Sequence, residues 1–155
     1  MAELFRGKNL EKRDGSNYSR IDAASHLSGK VVGLYFSAHW CPPCRVFTPL
    51  LKQFYEQIAD ASFEIVFVSR DRSLDQLKKY MSEAHGNWCL IPFGDAHAKE
   101  LEWKYDVRGI PALIVIKPNG DVITKSGRDE VEQAMKRTST EVTALISAWK
   151  TAAGL

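Results

Sequence analysis

Residues 30–58 read KVVGLYFSAHWCPPCRVFTPLLKQFYEQI, and this stretch decides the fold class. Val31, Val32, Gly33, Leu34, Tyr35 and Phe36 form a short β-branched and aromatic run without polar alternation, the pattern of a strand buried on both faces. Directly after it, Phe47, Leu50, Leu51, Phe54, Tyr55 and Ile58 recur at helical spacing, so a helix starting near Cys41 turns one stripe toward a core. Pro49 is expected to bend it. Between strand and helix lie two cysteines separated by two prolines, Cys41-Pro42-Pro43-Cys44.

Outward from this unit the chain alternates strand and helix signals. Ile65–Val68 reads as a second buried strand, and Ser73 followed by Gln76 reads as a capping box opening a helix that buries Leu74, Leu77 and Met81 and stops near Gly86. A short helical stretch is expected near Ala98–Tyr105. A strand over Ala112–Ile116 then turns through Pro118, Asn119 and Gly120 into Val122–Thr124 as a hairpin. Val131, Met135, Val142, Leu145, Ile146 and Trp149 continue at helical intervals, with Thr138, Ser139, Thr140 and Glu141 placed to break the segment in two. Upstream, residues 1–20 mix charges with Gly7, Gly15, Ser16 and Asn17 and read as a strand or hairpin preceding the main core. The expected architecture is α/β, a central mixed sheet with helices on both faces, in a single domain over residues 1–155.

Bulk properties narrow the function. A composition that is 45% hydrophobic and 26% charged is that of a globular chain, and a formal charge of +2, from 21 basic and 19 acidic side chains, argues against nucleic acid or an anionic membrane as partner. Glu3, Arg6, Lys8, Lys12, Arg13 and Asp14 interrupt the first 30 residues, so no secretory signal is expected, and no later run approaches membrane-spanning length. The expected compartment is the cytosol. Three unevenly spaced cysteines do not make a disulfide scaffold, which leaves them a chemical or a merely apolar role.

The chemistry follows from where the pair stands. In a helix's first turn, exposed backbone N–H groups and the helix dipole favour a thiolate, and cysteines three apart close a small disulfide ring. Cys41 is the expected nucleophile, attacking a partner's disulfide; Cys44 then attacks Cys41 and releases the reduced partner. Pro42 and Pro43 lack N–H groups that the first turn does not use, so they stiffen the motif at little cost. A zinc half-site is the alternative for such a pair, but no second ligand pair follows at suitable spacing, and no metal is expected. Cys89, between Trp88 and Leu90, reads as a buried apolar residue.

Trp40-Cys41-Pro42-Pro43-Cys44-Arg45 resembles the thioredoxin superfamily, its tryparedoxin and nucleoredoxin branch in particular. Tyr35-Phe36-Ser37, Phe47-Thr48-Pro49-Leu50, residues 63–69 (FEIVFVS), Gly109-Ile110-Pro111 and residues 119–124 (NGDVIT) extend the likeness over residues 4–150. The resemblance implies a cis proline at Pro111 opposite the cysteines, a partner strand docking on the backbone of Ile110, and Trp40 shielding one side of the disulfide. It also implies a departure: thioredoxins carry a buried aspartate six residues before the first cysteine, where this chain has Tyr35. Proton transfer to Cys44 must then use water or a nearby carboxylate, and Asp71, after a strand that should end near the motif, is the candidate.

Arg45, Arg70, Arg72 and Arg108 should share that end of the sheet and form a basic rim that stabilises the thiolate and steers acidic partners. His39 adjoins the motif and reads equally as an influence on the thiolate or as a solvated side chain, while His26, His85 and His97 have no partner apparent in the sequence. Trp88, Trp103 and Trp149 read as packing residues, and Arg128 as a solvated helix start. Two functions are compatible with these residues. One is an oxidoreductase that reduces disulfide-containing proteins, a peroxidase among them, with electrons from an upstream reductase or a low-molecular-weight dithiol and no bound cofactor. The other is a redox-sensitive interaction or signalling module of nucleoredoxin-like type, for which the nucleus joins the cytosol as a compartment.

Overall fold

The computed structural model describes residues 1–155, the Ala2 side chain excepted. A short helix α1 (Ala2–Phe5) precedes the hairpin β1 (Asn9–Asp14) and β2 (Asn17–Asp22), and α2 (Ala23–Leu27) leads into β3 (Val31–Ser37). Then follow α3 (Pro42–Ile58), β4 (Phe63–Ser69), α4 (Leu74–Ala84), β5 (Cys89–Leu90) and α5 (His97–Lys104). β6 (Ala112–Ile116), β7 (Val122–Thr124), α6 (Gly127–Met135) and α7 (Ser139–Ala152) complete the chain. One seven-stranded sheet runs β2-β1-β5-β4-β3-β6-β7. It is mixed, with β4 parallel to β3 and β5, and the outer strands antiparallel.

The strand pleat sends alternate residues to opposite faces, and both faces are covered. Val31 and Tyr35 of β3, Phe63, Ile65 and Phe67 of β4, and Leu113 and Val115 of β6 meet α3, α4, α6 and α7 through Phe47, Leu51, Phe54, Leu77, Val131, Ile146 and Trp149. Val32, Leu34, Phe36, Val66, Val68, Ile114 and Ile116 face the other way onto α1, α2 and α5, where Phe5, Leu27 and Leu101 close the second layer. Each such side chain, once buried, stabilises the fold by about 1.5–3 kcal/mol, which is why the central strands tolerate no polar alternation. At Gly127 the first turn of α6 passes so close to β6 that a Cβ would stand 2.7 Å from the Leu113 carbonyl oxygen. Gly120, at φ +92, makes the turn between β6 and β7, and its carbonyl accepts from the Tyr105 hydroxyl at 2.7 Å. Burial raises that phenol to about 12.

Some local expectations are corrected. Leu74 is 43% exposed, and α4 instead buries Leu77, Tyr80 and Met81. Ser73 caps α4 as expected, accepting from Gln76 N–H at 3.1 Å, while the Gln76 side chain reaches back to Arg72 N–H rather than to Ser73. The helix is capped at His85, one residue before Gly86. Trp103 is 89% exposed and packs nothing, whereas Trp88 and Trp149 are buried. The three histidines do have partners. His26 pairs with Glu64, His97 Nε2 lies 3.1 Å from the Leu4 carbonyl oxygen, and His85 Nδ1 accepts from the Trp88 indole N–H at 3.1 Å.

His85 is packed among Tyr35, Phe67, Tyr80 and Trp88, and burial, with a smaller contribution from the charge of Arg13, holds its imidazole well below the usual histidine range. The unfolded chain takes up a proton near pH 6.5 that the folded chain refuses, so stability present above that pH is lost as pH falls, at about 1.4 kcal/mol per unit. The urea midpoint is therefore expected to drop between pH 7 and pH 5.5, and His85→Gln, measured by the same denaturation series, should flatten that drop.

Candidate functional site

The site sits where β3 ends and α3 begins. β3 and β4 run in parallel register from Val31 opposite Phe63 to Ser37 opposite Ser69, so both strands finish at one height and the segments that follow them are neighbours. The Asp71 carboxylate joins those segments. It is largely buried, and its two oxygens accept from His39 N–H at 2.7 Å and from the Ser69 hydroxyl at 2.7 Å. Trp40 is tied to the same loop, its indole N–H donating to the Arg70 carbonyl at 3.0 Å while the Arg72 guanidinium lies 5.0 Å over its ring. The residue before Cys41 is thereby held while its ring stays 40% exposed.

Cys41 caps α3, with Pro42 and Pro43 exposed in the first turn, where a missing N–H costs nothing. Its sulfur accepts from Cys44 N–H at 3.3 Å, the contact that steadies a thiolate at a helix N-terminus. The two cysteines are joined as a disulfide with Cα atoms 5.2 Å apart. Cys41 is 5% exposed and Cys44 is fully buried, so an incoming partner reaches Cys41 first. Ile110 packs on the pair from across the site, its carbonyl oxygen 3.9 Å from Cys41 Sγ, and the Ile110–Pro111 peptide bond is cis. The structure thus brings together Trp40, Cys41, Pro42, Pro43, Cys44, Ile110 and Pro111.

The arginines expected to form a basic rim are not all free. Arg70 is paired with Glu102 and donates to the Val107 carbonyl, and Arg108 meets Asp106 at 3.2 Å. Arg45 and Arg72 have no carboxylate partner among the described residues, so the basic rim reduces to these two. His39 Nε2 stands 3.1 Å from Glu83, on the rim rather than on a sulfur. Arg128 is bonded within α6 to Glu132 at 2.9 Å. Cys89 is buried in the sheet, where burial, reinforced by the Glu64 carboxylate, pushes its thiol up and away from redox use.

Beneath the disulfide lies a hydroxyl cluster that the sequence reading did not anticipate. Thr48 donates to the Cys44 carbonyl at 2.8 Å and meets both the Tyr35 hydroxyl at 2.6 Å and the Tyr80 hydroxyl, while Tyr80 bonds Ser37 at 2.6 Å. Burial raises both phenols, so the cluster is neutral throughout the physiological range. Its one legible trace is a tyrosine at position 80, a polar end on the buried stripe of α4.

A buried disulfide-forming pair at a helix start, faced by Ile110 and a cis proline on a mixed sheet, has the geometry of a thiol–disulfide centre. The thioredoxin-like family profile matches residues 29–122, and the chain belongs to that family, in its nucleoredoxin and tryparedoxin branch. Human nucleoredoxin is 49% identical over 111 residues, which cover 70% of this chain and 25% of that protein. The chain thus spans about a quarter of the length of such relatives. Among solved structures, a thioredoxin from Wuchereria bancrofti is similar with TM-score 0.79 and 46% identity, covering 96% of this chain and 97% of that one. Tryparedoxin II complexed with glutathionylspermidine is similar with TM-score 0.76 and 33% identity, covering 86% and 92%.

Thr48→Val keeps the shape of the side chain and removes the hydroxyl on which Cys44, Tyr35 and Tyr80 converge. Two buried phenols then lose a partner, and the expected cost is about 2–3 kcal/mol of unfolding free energy, read from denaturant curves.

Proposed function

We propose that this chain is a protein-disulfide reductase that works as a single domain over residues 1–155 and passes two electrons from the Cys41–Cys44 dithiol to disulfide-containing proteins, a peroxidase among them. The observation that carries this reading is the asymmetry of the pair: the sulfur of Cys41, which alone keeps some exposure, accepts a helix N–H, and that of Cys44 lies fully buried behind it within bonding reach. In the dithiol form the Cys41 thiolate attacks one sulfur of the partner's disulfide, and the other partner sulfur leaves as a thiolate. Cys44, once deprotonated, attacks Cys41 in the mixed disulfide, releases the second partner thiolate and closes the ring seen in the structure.

Trp40, Ile110 and Pro111 form the wall against which the partner segment is held, with Ile110 offering its backbone carbonyl toward Cys41. Arg45 and Arg72 favour acidic surroundings around the target disulfide. Electrons come from an upstream reductase or a low-molecular-weight dithiol; the tryparedoxin solved with a glutathione–polyamine conjugate supports a small thiol in that role. No bound cofactor is required by this scheme, and cytosol with nucleus is the proposed compartment. Among the described residues no helix is long and apolar enough to cross a membrane.

Insulin reduction driven by dithiothreitol tests the reading. The wild type should accelerate it, Cys41→Ser and Cys44→Ser should each abolish the acceleration, and Cys44→Ser should retain partners as mixed disulfides. A wild type that does not turn over would leave a redox-sensitive binding module instead.

Asp71 is the proposed acceptor of the Cys44 proton, acting directly or through water. Asp71→Asn keeps an oxygen for His39 N–H but removes the base, so the rate should fall on the order of 10²-fold with an altered pH profile. An unchanged rate and profile would restrict Asp71 to anchoring the loop.

A further inference from the structure

At the other end of the sheet, His26, Glu64 and Cys89 converge from α2, β4 and β5. His26 Nε2 lies 2.8 Å and Cys89 Sγ 3.5 Å from the same carboxylate oxygen, Glu64 Oε2, and the three donor atoms are all within 4.8 Å of one another. We propose that this imidazole–carboxylate–thiol triad is a binding site for a borderline-soft divalent cation, of which Zn²⁺ is the type, independent of the redox centre.

Three features carry the proposal. First, the donor set is selective: a thiolate with an imidazole and a single carboxylate suits Zn²⁺ and disfavours Ca²⁺ and Mg²⁺, which want oxygen. Second, the carboxylate is pre-oriented. Glu64 is only 4% exposed, and its other oxygen, Oε1, is occupied by the Tyr55 hydroxyl at 2.8 Å and by Ile65 N–H at 2.9 Å, which leaves Oε2 aimed at His26 and Cys89. Outer bonds of this kind hold ligands in place at metal sites.

Third, access is one-sided. Cys89 is fully buried, but the His26 side chain is 25% exposed, which gives an ion a path and leaves a fourth position for water. Ligand separations of about 3.3–3.6 Å are expected around a tetrahedral ion with bonds of about 2.0–2.3 Å. The Cys89–Glu64 edge already has that length at 3.5 Å, so closing the site asks His26 Nε2 to pivot, lengthening its 2.8 Å edge to Glu64 by roughly half an ångström while turning toward Cys89 Sγ, which lies within 4.8 Å. Coordination replaces the proton on the Cys89 sulfur, which leaves to water, and uses His26 with Nε2 unprotonated. Glu64 is the second residue of β4 and Ser69 its last, so at ~3.3 Å per residue the triad lies about 16 Å from the end of the strand that borders the disulfide.

The test uses the full chain with Cys41→Ser and Cys44→Ser, which removes the competing thiols. Co²⁺ titration should produce a near-ultraviolet thiolate-to-cobalt band that saturates at one equivalent and is absent from the same protein carrying Cys89→Ser. Zn²⁺ should raise the thermal midpoint of the parent and compete with a chromophoric chelator, and His26→Gln, at a partly exposed position whose amide can still bond Glu64, should weaken Zn²⁺ at least tenfold. Absence of the band, its survival in Cys89→Ser, or equal Zn²⁺ affinity in His26→Gln would each overturn the proposal and leave a hydrogen-bonded cluster. Disulfide reduction by the unmutated chain is untouched by any of these outcomes.

Discussion

The parallel pairing of β3 with β4 is the constraint on which the site depends. Because the two strands start and stop in step, the loops after Ser37 and Ser69 emerge side by side, and one carboxylate, Asp71, can reach across to the backbone of His39. A buried carboxylate with both oxygens bonded is costly to disturb, since loss of a partner leaves a desolvated charge. That bond sets the path of the three residues before Cys41 and so the entry of the chain into α3. The helix, in turn, needs Cys41 in its capping position for the sulfur to meet Cys44 N–H. Register, loop, cap and sulfur form one chain of dependence, each link fixed by the one before it.

The fold was legible in the sequence wherever the signal was local. Residues 31–36 carry an unbroken apolar run and residues 47–58 a helical stripe, and both became the elements expected, as did the break between α6 and α7; the hairpin expected within residues 1–20 spans Asn9–Asp22, preceded by a short helix over Ala2–Phe5 that was not expected. The cysteine pair was legible for the same reason, since its geometry spans a single turn. What escaped is tertiary. Leu74 and Trp103 look like core residues by type, yet each lies on the solvent side of its helix, a matter of a few tens of degrees of rotation that periodicity over one short helix does not resolve.

The same limit applies to charges and histidines. Arg70 and Arg108 read as free cations of a rim, but Glu102 on α5 and Asp106 in the loop after it pair with them, and the rim loses half its cations. His26 finds Glu64 thirty-eight residues away, and Thr48 finds Tyr80 at a separation of thirty-two. Such pairs leave no mark on periodicity or spacing. Thr48 in particular reads as a helix residue next to Pro49, and only the packed structure shows that its hydroxyl supports the turn carrying Cys44.

Replacing a buried acid by Tyr35 changes where protons can go. A carboxylate under the disulfide would hold a charge in the core and accept the proton that Cys44 must lose. Here Tyr35, Thr48, Tyr80 and Ser37 form a closed set of hydroxyls that bond one another and one backbone carbonyl, with both phenols held protonated by burial. Such a cluster supplies rigidity without a base, and it spares the fold the desolvation of a buried charge. Its members can pass a proton along but none can keep it at neutral pH. An acceptor outside the cluster is what the proposed reduction calls for, and Asp71, fixed in the neighbouring loop by His39 and Ser69, is the one proposed. Holding the loop and receiving the proton are compatible tasks for one side chain, because each carboxylate oxygen that accepts one bond retains a further lone pair.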